Sequence, residues 1–195
     1  MKLLLASQSP RRKELLSQLG YQFETVSIDV DESYPSDLLP EDIAEYVSNK
    51  KANAFEVNSD EVLLTSDTIV ALDNQILLKP KDENEAFEML KSLSGKKHQV
   101  YTAFTIKTKD TETSKTSKTD VEFSEISDEE IRFYINHYKP FDKAGSYGIQ
   151  EWLGMAKIKN ISGSFYSVMG FPVDLVYEEL KKLDCFPNNF QNSIL

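Results

Sequence analysis

Residues 61–80, "EVLLTSDTIVALDNQILLKP", constrain the fold more than any other stretch, because they read as two or three extended segments around a turn at Asp73-Asn74. A chain carrying such a run must build a sheet, and Pro80 holds Lys79 extended at its end. Asp67 interrupts the otherwise apolar stretch. A carboxylate in such surroundings is costly unless a metal, a cation or several hydrogen bonds compensate it.

The elements around this run alternate between strand and helix. In "LLLASQSPRRKELLSQLG", residues 3–20, Leu3 to Ala6 read as a buried strand and Ser9 as a helix cap. Pro10 suits the first turn, Leu15, Leu16 and Leu19 form one apolar face, and Gly20 ends the helix. "YQFETVSIDVDES" alternates like a strand and runs into an acidic loop at Asp29, Asp31 and Glu32. Pro40 to Phe55 predict a helix with Ile43, Tyr46, Val47, Ala54 and Phe55 on one stripe, and Lys50 and Lys51 on or beside it.

Glu83 to Leu93 predict a helix ending near Ser94-Gly95, after which "HQVYTAFTIKTKD" returns to strand. The polar run Lys107–Thr119 reads as an exposed hairpin tip, since strand pattern resumes at "TDVEFSEI", and a helix follows from Asp128 to His137. The order is mixed α/β without internal repeats, in one continuous domain over residues 1–195 with a frayed tail from residue 184.

The first helix poses an electrostatic question. A helix N-terminus carries partial positive charge and unpaired N–H groups, yet this one begins Arg11, Arg12, Lys13. Either these cations are solvated and offset by Glu14 and acidic loops elsewhere, or the missing anion is a ligand. In the second case the hydroxyls of Ser7 and Ser9, the free N–H groups and two guanidiniums form a polyphosphate cradle. Near the other end, "KPFDKAGSYGIQEWLGMAKIKN" clusters charged, glycine and amide residues. Gly145 and Gly148 allow backbone conformations or close approaches that a side chain would obstruct. Asp142 and Lys143 either pair with each other or meet a substrate, and the Gln150 amide suits a nucleobase edge or a structural hydrogen bond.

Bulk properties narrow the classes. A net charge of −10 over 195 residues argues against a nonspecific nucleic-acid binder, so the basic turn is a local device. No stretch reads as a signal peptide, lipid anchor or membrane span, and the single cysteine, Cys185, cannot form an intramolecular disulfide. The cytoplasm is the expected compartment. "LSGKKH" lacks the earlier glycine of a phosphate loop, no dinucleotide fingerprint or nucleophile elbow occurs, and the two histidines, His98 and His137, are too far apart for a zinc-type pair. Cationic phosphate binders with isolated carboxylates at element ends point to metal-assisted hydrolysis within a nucleotide polyphosphate.

The motifs also carry a resemblance. "LLLASQSPRRKELL", Glu32 in "DVDES", Lys51-Ala52, "SDTIVALD", "LLKP", "EMLKSLSGKKHQVYT", "FDKAGSYGIQ" and "ISGSFYSVMGFP" occur in this order, and the chain to about Tyr177 resembles the Maf family of nucleoside triphosphate pyrophosphatases. The resemblance implies an elongated twisted sheet with helices, two lobes around a central cleft, and kinship with the inosine triphosphate pyrophosphatases. It implies cleavage between the α and β phosphates, with a divalent metal (Mg2+, Mn2+ or Co2+) as cofactor, and a housecleaning role toward non-standard nucleotides. Asp67 would be the proton acceptor and, with Glu32, would hold the metal or its waters. Ser9, Arg11, Arg12, Lys51 and Lys79 would grip the phosphates, with Ser7 and Lys143 as further substrate contacts.

Arg11, Thr68 and Gln150 correspond to positions tied to substrate choice. Thr68 after Asp67 is similar to the branch acting on dTTP and UTP, where pseudouridine and 5-methyluridine triphosphates would be companion substrates; the 7-methyl-GTP branch has glutamine there. Alternatives are a 7-methyl-GTP or other modified-nucleotide preference, and a nucleotide-sensing regulator of cell division. Family members are often dimers, so a homodimer is expected, without nucleic-acid or membrane partners. Three departures from the family pattern stand out. Lys50 competes with Lys51 for its role, and Gln8 and Ala103 stand where glycine is common.

Overall fold

The structure, a computed structural model, describes residues 1–188. The elements in chain order are β1 (Lys2–Ala6), α1 (Pro10–Gln18), β2 (Glu24–Thr25), α2 (Pro40–Asn53), β3 (Glu61–Leu72), β4 (Gln75–Leu77) and α3 (Glu83–Leu93). There follow β5 (Lys97–Lys107), β6 (Glu112–Phe123), α4 (Asp128–Tyr138), α5 (Trp152–Lys157), β7 (Ile158–Ser162), α6 (Phe165–Val168) and α7 (Val173–Lys182). No helix among the described residues is long and apolar enough to cross a membrane.

All strands join one seven-stranded mixed sheet in the order β2-β1-β3-β5-β6-β7, with β4 also on β3. The expected hairpin closes where Asp73 and Asn74 take φ of 50° and 65°, the left-handed pair that a two-residue turn between twisted strands requires. β1 is parallel to both β2 and β3, and the other pairings are antiparallel.

One detail of register positions everything that follows. β1 pairs with β3 up to Ala6↔Thr65, and β4 begins only at Val70↔Leu77. Between them, Ser66 to Ile69 have a strand neighbour on the β5 side alone. A break in pairing at the middle of a central strand leaves backbone groups and alternate side chains facing a gap.

The helices cover the two faces. α1 and α7 pack on one side through Leu16, Phe171, Val176 and Leu180, while α3, α4 and α5 build a second cluster around Leu90, Tyr134 and Leu153. α2 lies across the face formed by Ile69, Ala71, Tyr101 and Ala103. It does so through Ile43, Ala44, Val47, Ser48 and Ala52 rather than the larger expected stripe: Tyr46 is 38 % exposed and Ala54 is outside the contact. Small residues at Ala44 and Ser48 let the helix backbone approach the sheet, which turns Tyr46 outward.

Two other expectations are corrected. The alternating segment from Tyr21 forms strand only at Glu24–Thr25, because beyond it Val26 and Ile28 pack as a loop against Leu4, Ala52 and Leu63. The run 107–119 is mostly strand: β6 pairs with β5 from Glu112 onward and leaves only a short tip closed by Thr108 N–H to Thr111 O at 2.8 Å. Threonines in that run favour extended backbone despite their polarity. Of the frayed tail expected from residue 184, the first part is tied down: Asn188 N–H donates to Gly20 O at 2.9 Å and Tyr21 O–H to Cys185 O at 3.3 Å, while residues 189–195 lie outside the described residues.

His98 is wholly buried beside Phe123, with Nε2 2.7 Å from the Tyr147 hydroxyl. Burial pushes its pKa from 6.5 down to about 4, opposed by the charge of Asp120. The unfolded chain therefore binds a proton that the folded chain refuses between pH 6.5 and about 4, so stability falls as pH drops through that window. The expected loss is about 3 kcal/mol in urea denaturation between pH 7 and 4. His98→Gln should flatten that part of the acid slope, and an unchanged slope would assign it to other groups.

Candidate active site

A cleft of about 530 Å³ opens at the carboxyl end of β1, where the chain crosses to β2 on one side and β3 on the other. Such a switch point is where α/β sheets leave a crevice. The unpaired edge of β3 forms its floor, and every residue singled out from the sequence for a site role lines it.

The wall from α1 is built around Arg12. Its Nε donates to Gly170 O and its Nη1 to Ser66 O, each at 2.8 Å, while Nη2 donates to Thr68 Oγ1 at 3.1 Å and Ser7 Oγ lies 3.5 Å from Nη1. A guanidinium thus satisfies the β3 carbonyl that the missing strand neighbour leaves free. Burial works against its charge and nearby Asp67 supports it. Ser9 sits at the cap position, yet its hydroxyl makes no capping bond; its N–H donates to Ser7 Oγ at 3.2 Å.

The charge question at α1 therefore has two answers. Arg11 is balanced by an acidic loop, Nη1 lying 2.8 Å from Asp142 Oδ2, whereas Glu14 accepts from Gln18 instead. Arg12 is balanced by carbonyl and hydroxyl oxygens.

At the centre, Lys51 Nζ lies 2.8 Å from Glu32 Oε1 and 2.8 Å from Asp67 Oδ1. Side-chain exposures of 13 % for Lys51 and 16 % for Asp67 put this pair out of bulk water. Lys50 turns to the rim, donating to Ser33 O at 2.9 Å with Asp31 at 3.6 Å, so geometry separates two lysines that sequence left in competition. Burial pushes the Glu32 pKa up, but Lys51, with Lys79 and Arg12 at longer range, outweighs it and holds the carboxyl below its ordinary value. Lys79 lines the cleft and makes no ion pair or hydrogen bond among the described residues.

The opposite wall is the loop 139–151. Lys143 Nζ pairs with Asp142 Oδ1 at 2.7 Å and Glu151 Oε1 at 3.1 Å, and the Tyr134 hydroxyl donates to Glu151 while accepting from Gly148 N–H at 2.9 Å. Burial raises the Asp142 pKa, and the hydrogen bonds from Lys143 and Arg11 more than reverse that. Gln150 Oε1 is buried and accepts no hydrogen bond among the described residues. Val70, Val100, Val168 and Met169 add an apolar back.

Alternation along β3 divides this cleft. Asp67 points to the α2 face with Lys51, and Thr68 points to the other face, where Arg12 and Thr102 reach its hydroxyl at 3.1 Å each. Sequence reasoning missed Glu151, Tyr134 and the Gly170 carbonyl. Tyr134 reads as one more core aromatic on α4, and a backbone carbonyl has no residue-type signature.

No cluster of three or more His, Cys, Asp or Glu suited to a metal occurs among the described residues. Glu32 and Asp67 already share one cation, however, and this all-oxygen pair of carboxylates would suit a hard divalent ion.

The family model described as Maf-like protein matches residues 2–183. This chain belongs to the Maf-like family. Within the family, a dTTP/UTP pyrophosphatase from Bacteroides thetaiotaomicron is 51 % identical over 93 % of this chain and 95 % of its own length. One from Porphyromonas gingivalis is 47 % identical over 92 % and 93 %. Among solved structures, a nucleoside-triphosphatase / dITP/XTP pyrophosphatase from Mycobacterium abscessus aligns at 14 % identity with a TM-score of 0.43, covering 94 % of this chain and 97 % of that one. Of the departures from the Maf pattern, Ala103 stands opposite Asp67 in β5 and buries its methyl against α2, and Gln8 lines the cleft.

Proposed function

We propose that this Maf-like chain hydrolyses nucleoside triphosphates, dTTP and UTP foremost, to the nucleoside monophosphate and pyrophosphate. The observation that carries the reading is the Glu32–Lys51–Asp67 centre, with its two contacts of 2.8 Å, set in a cleft whose walls present Arg11, Arg12, Lys79 and Lys143. A triphosphate is the small ligand that needs so many cations in a chain of net charge −10. The names of the relatives support the same activity and the same bases.

In this reading Arg11, Lys51 and Lys79 neutralise the phosphate oxygens, Ser7 and Ser9 donate hydroxyl hydrogens to them, and Arg12 holds the wall against which they lie. Asp67 accepts the proton of the attacking water as the α–β bridge breaks and pyrophosphate departs. Glu32 and Asp67 would hold the divalent ion, Mg2+, Mn2+ or Co2+, which supplies charge neutralisation and an acidified water when bound. The base lies on the Thr68 face against Val70 and Val168. There the buried Gln150 oxygen, which has no donor among the described residues, suits the N3–H that uracil and thymine offer. A cytoplasmic location fits this reading, supported by a nucleotide substrate and a free thiol.

The test is a nucleotide panel with Mg2+ and Mn2+. Pyrophosphate and monophosphate should appear in equal amounts from dTTP and UTP, ahead of 7-methyl-GTP. No release with any divalent metal would end the enzymatic reading, and faster turnover of 7-methyl-GTP would end the assignment of the base.

A further inference from the structure

We infer that Lys51 is a resident cation that keeps the divalent-metal position filled until a nucleotide arrives, so that metal and nucleotide bind as a coupled pair. The inference rests on the cleft being a nucleoside triphosphate site and concerns the order in which that site is assembled.

Lys51 Nζ touches one oxygen of each carboxylate at 2.8 Å, the point that a cation shared by Glu32 and Asp67 would occupy. The two acids come from different segments, a loop and the middle of β3, and the ammonium joins them. A divalent ion arriving alone would have to expel it. The expelled charge would then stand in a cleft that already holds Arg11, Arg12 and Lys79. In return the ion would gain only two carboxylates, because no third acidic or imidazole ligand is clustered there among the described residues. Six-coordinate oxygen-loving ions are held weakly by so few protein ligands.

A triphosphate changes both sides of this balance. Its oxygens give the ammonium a new anionic partner and complete the oxygen set around Glu32 and Asp67. Lys51 can make the move without disturbing α2, because its charge rides on a flexible four-carbon stem. The helix itself stays fixed one turn earlier: the Thr65 hydroxyl donates to Ser48 O at 2.8 Å, and the Ser48 and Thr65 hydroxyls lie 3.0 Å apart in a fully buried contact. By linkage, whatever factor the nucleotide adds to metal affinity the metal adds to nucleotide affinity.

Mn2+ is the probe, followed by loss of its free-ion EPR signal. For the wild-type chain alone, binding should be about tenfold or more weaker than for Lys51→Met alone. The α,β-methylene analogue of UTP should tighten Mn2+ binding to the wild type by about tenfold or more beyond the tightening it gives Lys51→Met, which keeps only the oxygens the phosphates add, after subtraction of protein-free Mn2+–analogue binding. Adding Glu32→Gln to Lys51→Met should remove the gained site, which locates it at these carboxylates. Lys51→Gln serves in place of Lys51→Met if the latter does not fold, and the two wild-type arms stand without any variant. Equal Mn2+ affinity in wild type and Lys51 variants, a gain that survives Glu32→Gln, or wild-type binding as tight without the analogue as with it would each overturn the exchange. Pyrophosphate release is scored separately: the exchange with no turnover removes only the hydrolase reading, and turnover without the exchange removes only this inference.

Discussion

Asp67→Asn is expected to lower kcat for pyrophosphate release from UTP by roughly 10²–10⁴-fold, the range supplied by a positioned proton acceptor. Asparagine preserves the volume of the side chain, and the backbone at this position is fixed by the Asp67↔Ala103 pair in the β3–β5 ladder, so the sheet is not disturbed. What disappears is the negative charge and the capacity to take a proton. In the absence of divalent metal, nucleotide affinity moves the other way or not at all, because the variant removes a carboxylate that repels phosphate while Lys51 keeps its contact with Glu32. Single-turnover rates together with calorimetric affinity for the methylene analogue check both halves. Turnover within tenfold of wild type would remove Asp67 from the chemistry.

Gly154→Ala should give the largest loss of stability. A methyl group there would lie 1.9 Å from Ile149 O, 2.5 Å from its carbonyl carbon and 2.8 Å from its Cα, all backbone atoms that cannot rotate aside. Either α5 or the segment before it must shift, at a cost of about 3 kcal/mol. That segment carries Gln150 and Glu151, so Lys143 loses an ion-pair partner and KM for UTP should rise with the fall in urea midpoint. Gly148→Ala is the informative comparison. The atoms nearest its methyl would be those of the Glu151 side chain, the first at 2.8 Å, so the side chain yields and KM suffers more than stability. A wild-type midpoint for Gly154→Ala would mean that α5 does not approach Ile149 so closely.

Much of the architecture was legible because local signals agreed with one another. The helix α3 runs over Glu83–Leu93 as its apolar period requires, with Asp82 capping through bonds of 2.9 Å to Asn84 and Glu85 N–H. Gly145 takes φ of 68° with Val70 atoms 3.0 Å from where a Cβ would stand, as expected of a glycine in that motif. Other features had no local signature. Whether Lys50 or Lys51 enters the cleft depends on a rotation of α2 fixed by Ser48, Thr65 and Thr105, whose hydroxyl contacts link segments far apart in sequence. Gly154 was silent for the same reason, since its obstacle is a carbonyl rather than a residue type. The strand pattern around Ile28 misled because alternation reports which side chains are buried, while hydrogen bonding to a neighbour decides whether a strand forms.

The interruption between β1 and β4 has a consequence for how such proteins can diverge. Asp67 and Thr68 are consecutive, yet they project from opposite surfaces of the sheet. Replacements behind Thr68, at Val70, Val100 or Val168, can reshape a compartment for the ring of a ligand while the surface bearing Lys51 and Glu32 stays as it is. In the proposed reading, one window in a ladder of strands thereby keeps selection of the molecule to be cut separate from the act of cutting.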